Sequence, residues 1–507
     1  MSVERLRWHE VKDRTFIGAT DETHEIHVVR EALPIVLVPG IMGSRLRQSG
    51  SGDVVWDPPD GPGSTVSTLW SWTRASGRER KRRLIGDAHD PGFLEVDPGQ
   101  LRRMRSNISG SDAEARRAID RGWGGVHWSS YGGFLRWASL APSLGWPRAS
   151  RYFTFPVYAI GYNWSASNRE SGDRIARRLR AIVAENDGED TFCEKVIVVS
   201  HSMGGLASRS AMMLHGAEDV VAGAIHTVQP VTGAAATYKR MRAGFEGAAS
   251  LVLGWNAAET TPVLANSPGG LELLPNKGYR DNAGRDRWLS VMMGGRALIE
   301  RPLSGDPYAE IYRERHALWR MVDEALIDPG GPRRRVTPWM SYLDNLAVAE
   351  SFHDDLALRR HPVTYTTWGE GRGHLSWDRA TWTITQLAMA PGYPMPTVYQ
   401  TTPSAAAQTW ARSANLVASS DDGVGSCRVT GAGGGPPDPL VADIEPADGE
   451  GDGTVPAGSG RALPTPAAAA KRGVEHQMAL NHPQVRAFLT AAIQQIVFRH
   501  FGARTGP

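Results

Sequence analysis

A mostly parallel α/β sheet flanked by helices is what this sequence predicts, and three stretches predict it. Val196-Ile197-Val198-Val199 is an unbroken run of β-branched apolar residues, the pattern of a strand buried on both faces. Met203 onward reads as a helix, so strand passes to helix within a few residues. Upstream, Val157 to Tyr162 reads as a strand and Ser167 to about Asp187 as a helix, with Ile175, Leu179, Ile182 and Val183 on one apolar face. The resulting order of strand, helix, strand, helix requires parallel pairing.

A chain of 507 residues is long enough for a large core, and we read 1–507 as a single domain carrying insertions. Charge is balanced, 56 basic against 54 acidic residues, so no global field favours nucleic acid. Two cysteines, Cys193 and Cys427, are too few for a disulfide framework and suit a reducing compartment. The first residues show no apolar signal-peptide core, and no run reaches transmembrane length, so a cytoplasmic location without a transmembrane segment is expected.

Taken in order, His24 to Val29 alternates like an edge strand. Pro34 to Val38 is a buried strand that runs into Pro39-Gly40-Ile41-Met42-Gly43-Ser44, a turn whose backbone amides can face a cavity. Residues 45–150 read as an irregular insertion rich in Trp and Arg. Its run from Arg74 to Arg83, six bases and one acid, reads as a solvated loop or a contact for anionic headgroups. Trp56, Trp70, Trp72, Trp123 and Trp128 lie around that run and make the segment part of a candidate lid.

Ser167-Asn168-Arg169-Glu170 fits a capping box. After the second helix, Ala222 to Val228 is a further strand ending in Gln229-Pro230-Val231-Thr232-Gly233. Residues 234–345 lose the βα rhythm, with helical pieces expected at Tyr238 to Glu246 and Tyr308 to Ala325, and read as a cap inserted over the sheet. His361 to Gly369 returns to strand character. Residues 401–447 are rich in small and polar residues and read as a flexible loop, and Val485, Phe488, Leu489, Ala492, Ile493 and Ile496 mark a final helix.

The chemistry centres on Ser200-His201-Ser202-Met203-Gly204-Gly205. A serine between a buried strand and a helix, flanked by small residues, sits on a turn so tight that its hydroxyl is forced outward. Ser202 is the expected nucleophile. It needs a histidine to take its proton and a carboxylate to hold that histidine. Asp452, in Gly451-Asp452-Gly453-Thr454-Val455, and His476 follow late in the chain and supply both. Asp443, Asp448 and Glu450 are rivals for the acid, and His482 is a rival for the base. The N–H groups of Ile41 and Met203 are the expected oxyanion donors. His201 points away and serves packing. His353, His361 and His374 lack metal-ligand spacing, so neither a metal nor a cofactor is expected.

These blocks resemble the lipase branch of the α/β-hydrolase superfamily. They look most like relatives of lecithin:cholesterol acyltransferase, phospholipid:diacylglycerol acyltransferase and the PGAP1-like lipases. The matching pieces are Val38 to Ser44, Ser200 to Gly205, Thr227 to Ala234, Leu271 to Pro275, Gly451 to Pro456 and Glu475 to Gln477. The match departs at Ser200, where a glycine is usual, and at Asn163-Trp164-Ser165. The resemblance implies a serine lipase or esterase acting on a phospholipid or glyceride, with transient contact at a membrane surface and no nucleic-acid partner. An acyltransferase with the same triad is the alternative, and an inactive lipid-binding adaptor is a reading of another class. Lipase effectors delivered by type VI secretion share this appearance, which makes signal-independent export an alternative to cytoplasmic residence.

Overall fold

The computed structural model describes residues 3–7, 25–57, 72–86, 92–145, 153–246, 254–331, 336–387, 400–436 and 438–502. Its main sheet has six strands: β1 (Ile35–Val38), β2 (Val157–Ala159), β3 (Val196–His201), β4 (Val221–Thr227), β5 (Thr364–Glu370) and β6 (Ala467–Arg472). Their spatial order is β2-β1-β3-β4-β5-β6, and every adjacent pair is parallel. The chain leaves β1 toward one edge and returns to its other side at β3. That reversal opens a crevice at the carboxyl ends of β1 and β3, the place where open α/β sheets bind ligands.

Four helices flank this sheet: α1 (Trp128–Gly145), α2 (Asn168–Asn186), α3 (Gly204–Met213) and α4 (Pro483–Gly502). Alternate strand residues divide between two cores. Val36, Val38, Val196 and Val198 pack with Ile175, Leu179 and Ile182 of α2. Ile35, Leu37, Ile197 and Val199 pack instead with Phe134 and Leu135 of α1 and with Val485, Leu489, Ile493 and Ile496 of α4. The continuous apolar runs follow from this, since a strand covered on both faces has no polar side.

A second, seven-stranded mixed sheet joins Leu289–Met293 and Arg296–Arg301 to Ala380–Leu387, Leu440–Ile444, Ser426–Gly431 and Leu416–Asp421, with Gln400–Thr401 beside Ala380–Leu387. Residues 401–447, expected as a flexible loop, therefore contribute strands and a helix, Ala405–Ser413, capped by Ser404. Leu416, Cys427, Val429, Leu440 and Ala442 are buried, so a sparse set of small apolar residues suffices where strands pair on both sides. Tyr308 to Ala325, expected as a helix, forms only short turns at Tyr308–Tyr312 and Glu324–Leu326. Its helical-looking spacing fails because the Glu314 carboxylate accepts the N–H groups of His316 and Ala317 and turns the chain aside.

Residues 45–150 also correct the expectation of irregularity. They form a small antiparallel sheet (Leu46–Gln48, Val54–Trp56, Leu94–Val96) and helices at Gly77–Leu84, Leu101–Ile108, Asp112–Asp120 and α1. Ser76 caps the first of these, and Ser111 with Glu114 forms a capping box at the third. The basic run is thus largely helical. Arg80 is buried against Trp72, Lys81 pairs with Asp328, and Arg82 and Arg83 pair with Glu79. Trp56 packs edge-on against Trp72 and Trp164; Trp70 lies outside the described residues.

Glu25–Ala32, expected at an edge, lies inside a small parallel sheet between Val3–Arg7 and the short strands Phe153–Thr154 and Thr191–Phe192. No helix among the described residues is long and apolar enough to cross a membrane.

Candidate active site

Ser202 stands in the two-residue turn between β3 and α3 with φ of 52°, a left-handed conformation that a non-glycine residue holds only under constraint. Its N–H is fixed to the carbonyl of Thr227 at the end of β4, at 2.9 Å. The end of β1 passes so close that a Cβ on Gly204 would lie 2.3 Å from the Pro39 carbonyl oxygen. A Cβ on Gly40 would lie 2.9 Å from the Ser202 Cβ. Only glycine fits at either place. Ser200, the departure from the usual glycine, is fully buried, and its hydroxyl meets Nδ1 of His226 on the neighbouring strand at 2.7 Å. Burial lowers the His226 pKa to about 3, so this ring stays neutral.

The late loops bring the other expected residues to Ser202. His476 Nε2 is 2.9 Å from Ser202 Oγ, and His476 Nδ1 is 2.8 Å from Asp452 Oδ2. The carboxylate is buried, and its second oxygen accepts the N–H groups of Thr454 and Val455 at 3.0 and 2.7 Å. The backbone repeats the link, since His476 N–H donates to the Asp452 carbonyl at 2.9 Å. Ser376 steadies the acid loop by accepting from Gly453 N–H and donating to the Val455 carbonyl. Of the four acids weighed, Asp452 is the one hydrogen-bonded to His476. His482 lies at the start of α4, and its Nδ1 has no partner among the described residues.

Ile41 and Met203 occupy the two turns that flank the Ser202 side chain. Among the described residues, neither N–H makes an intramolecular hydrogen bond, whereas the intervening Gly40 N–H donates to the Tyr131 hydroxyl at 2.9 Å. Beside the first turn lies a pocket lined mainly by apolar groups, among them Ile41, Met42, Trp72, Leu84, Trp164 and Val263.

Sequence reasoning missed Tyr131, which comes from the supposedly irregular insertion. The available signal was Tyr131-Gly132-Gly133 near the start of a helix, where paired glycines mark a close approach. A Cβ on Gly133 would lie 2.3 Å from Asn481 Oδ1 in the loop that follows His476. It also missed the second role of Ser167, which caps α2 by accepting from Arg169 N–H while donating to Glu272 rather than joining Glu170 in a box.

His353 lies between the Tyr308 hydroxyl and the Glu272 carbonyl, and His361 meets its own loop at Val363. Among the described residues no group of three His, Cys, Asp or Glu side chains is placed to hold a metal ion. Cys193 and Cys427 are separate buried thiols.

A parallel sheet with a serine on the strand–helix turn and an acid and a histidine on later loops is the arrangement of an α/β-hydrolase fold. Among solved structures, the chain is similar to one in the crystal structure of a Tle4–Tli4 complex. That match has a TM-score of 0.69 and 27% identity, and it covers 92% of this chain and 99% of the other. The mature lipase BlEst2 of Bacillus licheniformis also aligns, with a TM-score of 0.20 and 17% identity over 47% of this chain and 62% of that one. No family model matches the chain, and no curated protein matches it.

Proposed function

We propose that this protein is a serine hydrolase that cleaves carboxylic esters of lipids through an acyl-enzyme. The observation that carries the reading is the continuous line of contacts from Ser202 Oγ through His476 to Asp452, 2.9 and 2.8 Å long. With Nδ1 donating to the carboxylate, Nε2 is left free to accept the serine proton, which is the tautomer that general-base catalysis needs. Ser202 attacks the ester carbonyl and His476 takes its proton. Negative charge develops on the carbonyl oxygen, where the N–H groups of Ile41 and Met203 supply donors. His476 then protonates the leaving alkoxide, and water activated by the same ring releases the acid.

The lipid part of the reading rests on the pocket beside Ile41. Met42, Trp72, Leu84, Trp164 and Val263 line a narrow cavity of about 20 Å³ beside Ile41, so an acyl chain whose carbonyl is held at the Ile41 N–H enters it as these side chains part. Apolar walls reward each buried methylene by about 0.8 kcal/mol. The experiment is product analysis by mass spectrometry after incubation with phospholipid vesicles and a long-chain alcohol, wild type beside Ser202→Ala. Free fatty acid from wild type alone supports the hydrolase. Acyl alcohol as the main product moves the reading to an acyltransferase, and no product from phospholipids, glycerides or short esters overturns it.

A further inference from the structure

His201, beside the nucleophile, packs edge-on against Tyr131 and makes polar contacts as well. It is buried, and both ring nitrogens are engaged. Nε2 lies 2.8 Å from the main-chain carbonyl of His476, and Nδ1 lies 3.0 Å from the Tyr131 hydroxyl. A carbonyl only accepts, so Nε2 carries the proton and donates. With one proton on the ring, Nδ1 is bare and accepts from the Tyr131 O–H. The Tyr131 oxygen in turn accepts the Gly40 N–H at 2.9 Å. Every donor and acceptor along the line has a partner of the right kind, and the direction is set at both ends by the backbone.

The surroundings hold the ring to this state. Burial, with the neighbouring His476 adding to it, lowers the His201 pKa to about 3, against the pull of the His476 carbonyl and the Asp452 charge. Tyr131, the other titratable group on the ring, is pushed up by its own burial. The first turn of α1 grips the base loop at further points. Ser130 accepts from Gln477 Nε2 through its hydroxyl at 3.1 Å and from Asn481 Nδ2 through its carbonyl at 3.0 Å.

We propose that Tyr131 and His201 are positioning residues: one hydrogen-bonded line, from the Gly40 N–H through both side chains to the His476 carbonyl, sets the oxyanion turn against the base loop. Gly40 precedes Ile41, and the His476 carbonyl belongs to the residue whose ring meets Ser202. A slip anywhere along the line displaces an oxyanion donor relative to the base, and a displacement of about 1 Å is worth about 100-fold in rate. The proposal rests on the serine-hydrolase reading of Ser202.

The test uses the full-length protein and a soluble ester. Tyr131→Phe removes the donor to Nδ1 and the acceptor for Gly40. His201→Asn keeps a polar group near Nδ1 but is too short to reach the His476 carbonyl, whereas His201→Gln reaches it. Tyr131→Phe and His201→Asn are each expected to lower kcat by about 10- to 100-fold with KM changed by less than about threefold. The double variant should fall no further than the worse single, because both break one line. His201→Gln should recover most of the loss seen with His201→Asn. Losses that multiply, wild-type kcat in both singles, or losses that follow the folded fraction overturn the proposal.

Nitrogen-15 NMR of the histidine rings, with His201 assigned by its disappearance in His201→Asn, gives a readout independent of turnover. An Nε2–H tautomer that persists down to about pH 5 is expected; an Nδ1–H tautomer or an imidazolium there overturns the line. Absence of Ser202-dependent turnover in wild type, with that tautomer present, overturns the hydrolase reading and with it the positioning role.

Discussion

Glu272 sits on the amino end of α2 and holds Asn168 twice, accepting its backbone N–H and its side-chain amide at 2.7 Å each. Ser167 approaches the other carboxyl oxygen at 2.6 Å. Burial pushes the Glu272 pKa up to about 8, against the pull of these donors. Between the ordinary carboxylate value and about 8, the folded protein holds a proton that the unfolded chain has released. Stability from this group is therefore full at low pH and declines as pH rises through that window. Glu272→Gln, which keeps an acceptor toward Asn168 and cannot ionise, should flatten the decline. Thermal melts across about pH 5 to 9 check this, with wild type losing several degrees relative to the variant.

Asp452→Asn should leave the protein folded and substrate binding little changed, while kcat drops by about 10³- to 10⁴-fold. With its oxygen held by the Thr454 and Val455 N–H groups, the amide turns its NH2 toward Nδ1, so the ring presents the wrong nitrogen to Ser202. Glu450→Gln, in the same loop but not hydrogen-bonded to His476, should keep turnover within about threefold. Steady-state kinetics on a short ester separates the two, and equal losses would contradict the assignment of the acid.

Enlarging the narrow pocket beside Ile41 should favour longer acyl chains. Val263 is buried on its wall, and Val263→Ala removes bulk there without adding charge. Activity on long-chain esters should rise relative to that on butyrate, since each methylene admitted gains about 0.8 kcal/mol. An unchanged chain-length profile would remove this pocket from the acyl path.

Arg242 ties the chain following β4 to the second sheet. Its guanidinium is buried over the Trp382 ring, 5.2 Å from the centroid, and pairs with Asp421 on the strand Leu416–Asp421. Arg242→Met leaves the Asp421 charge with the Gly423 N–H at 3.0 Å and the looser Arg320 contact at 3.8 Å. Breaking one side of such a buried pair costs about 3–5 kcal/mol, which should lower the urea midpoint without altering the reaction rate of the protein that remains folded.

The main sheet was legible because its strands are buried on both faces, and that demands runs such as Val196 to Val199 which little else in the chain imitates. Ser202, Asp452 and His476 were legible as candidates because Ser202 ends a readable strand, Asp452 lies between two glycines and His476 lies in the loop before a readable helix. Tyr131 was not, because it reaches Gly40 and His201 across a separation that no local pattern encodes. The second sheet was hidden differently. Ala442, Cys427 and Ala407 are small residues whose burial depends on neighbours far along the chain, so their local composition reads as loop. Conversely, Tyr308 to Ala325 carried a helical period that side-chain acceptors such as Glu314 overrode.

The reversal of chain direction between β1 and β3 has a temporal side. Gly40, Tyr131, Ser202, Asp452 and His476 are drawn from widely separated points of one polypeptide, and the loop bearing His476 is held by His201, Asp452 and the first turn of α1. A ribosome delivers the nucleophile long before the base. On the proposed reading, a nascent chain that stops short of His476 carries Ser202 without the group that activates it, and stays inert toward esters until His476 has been made.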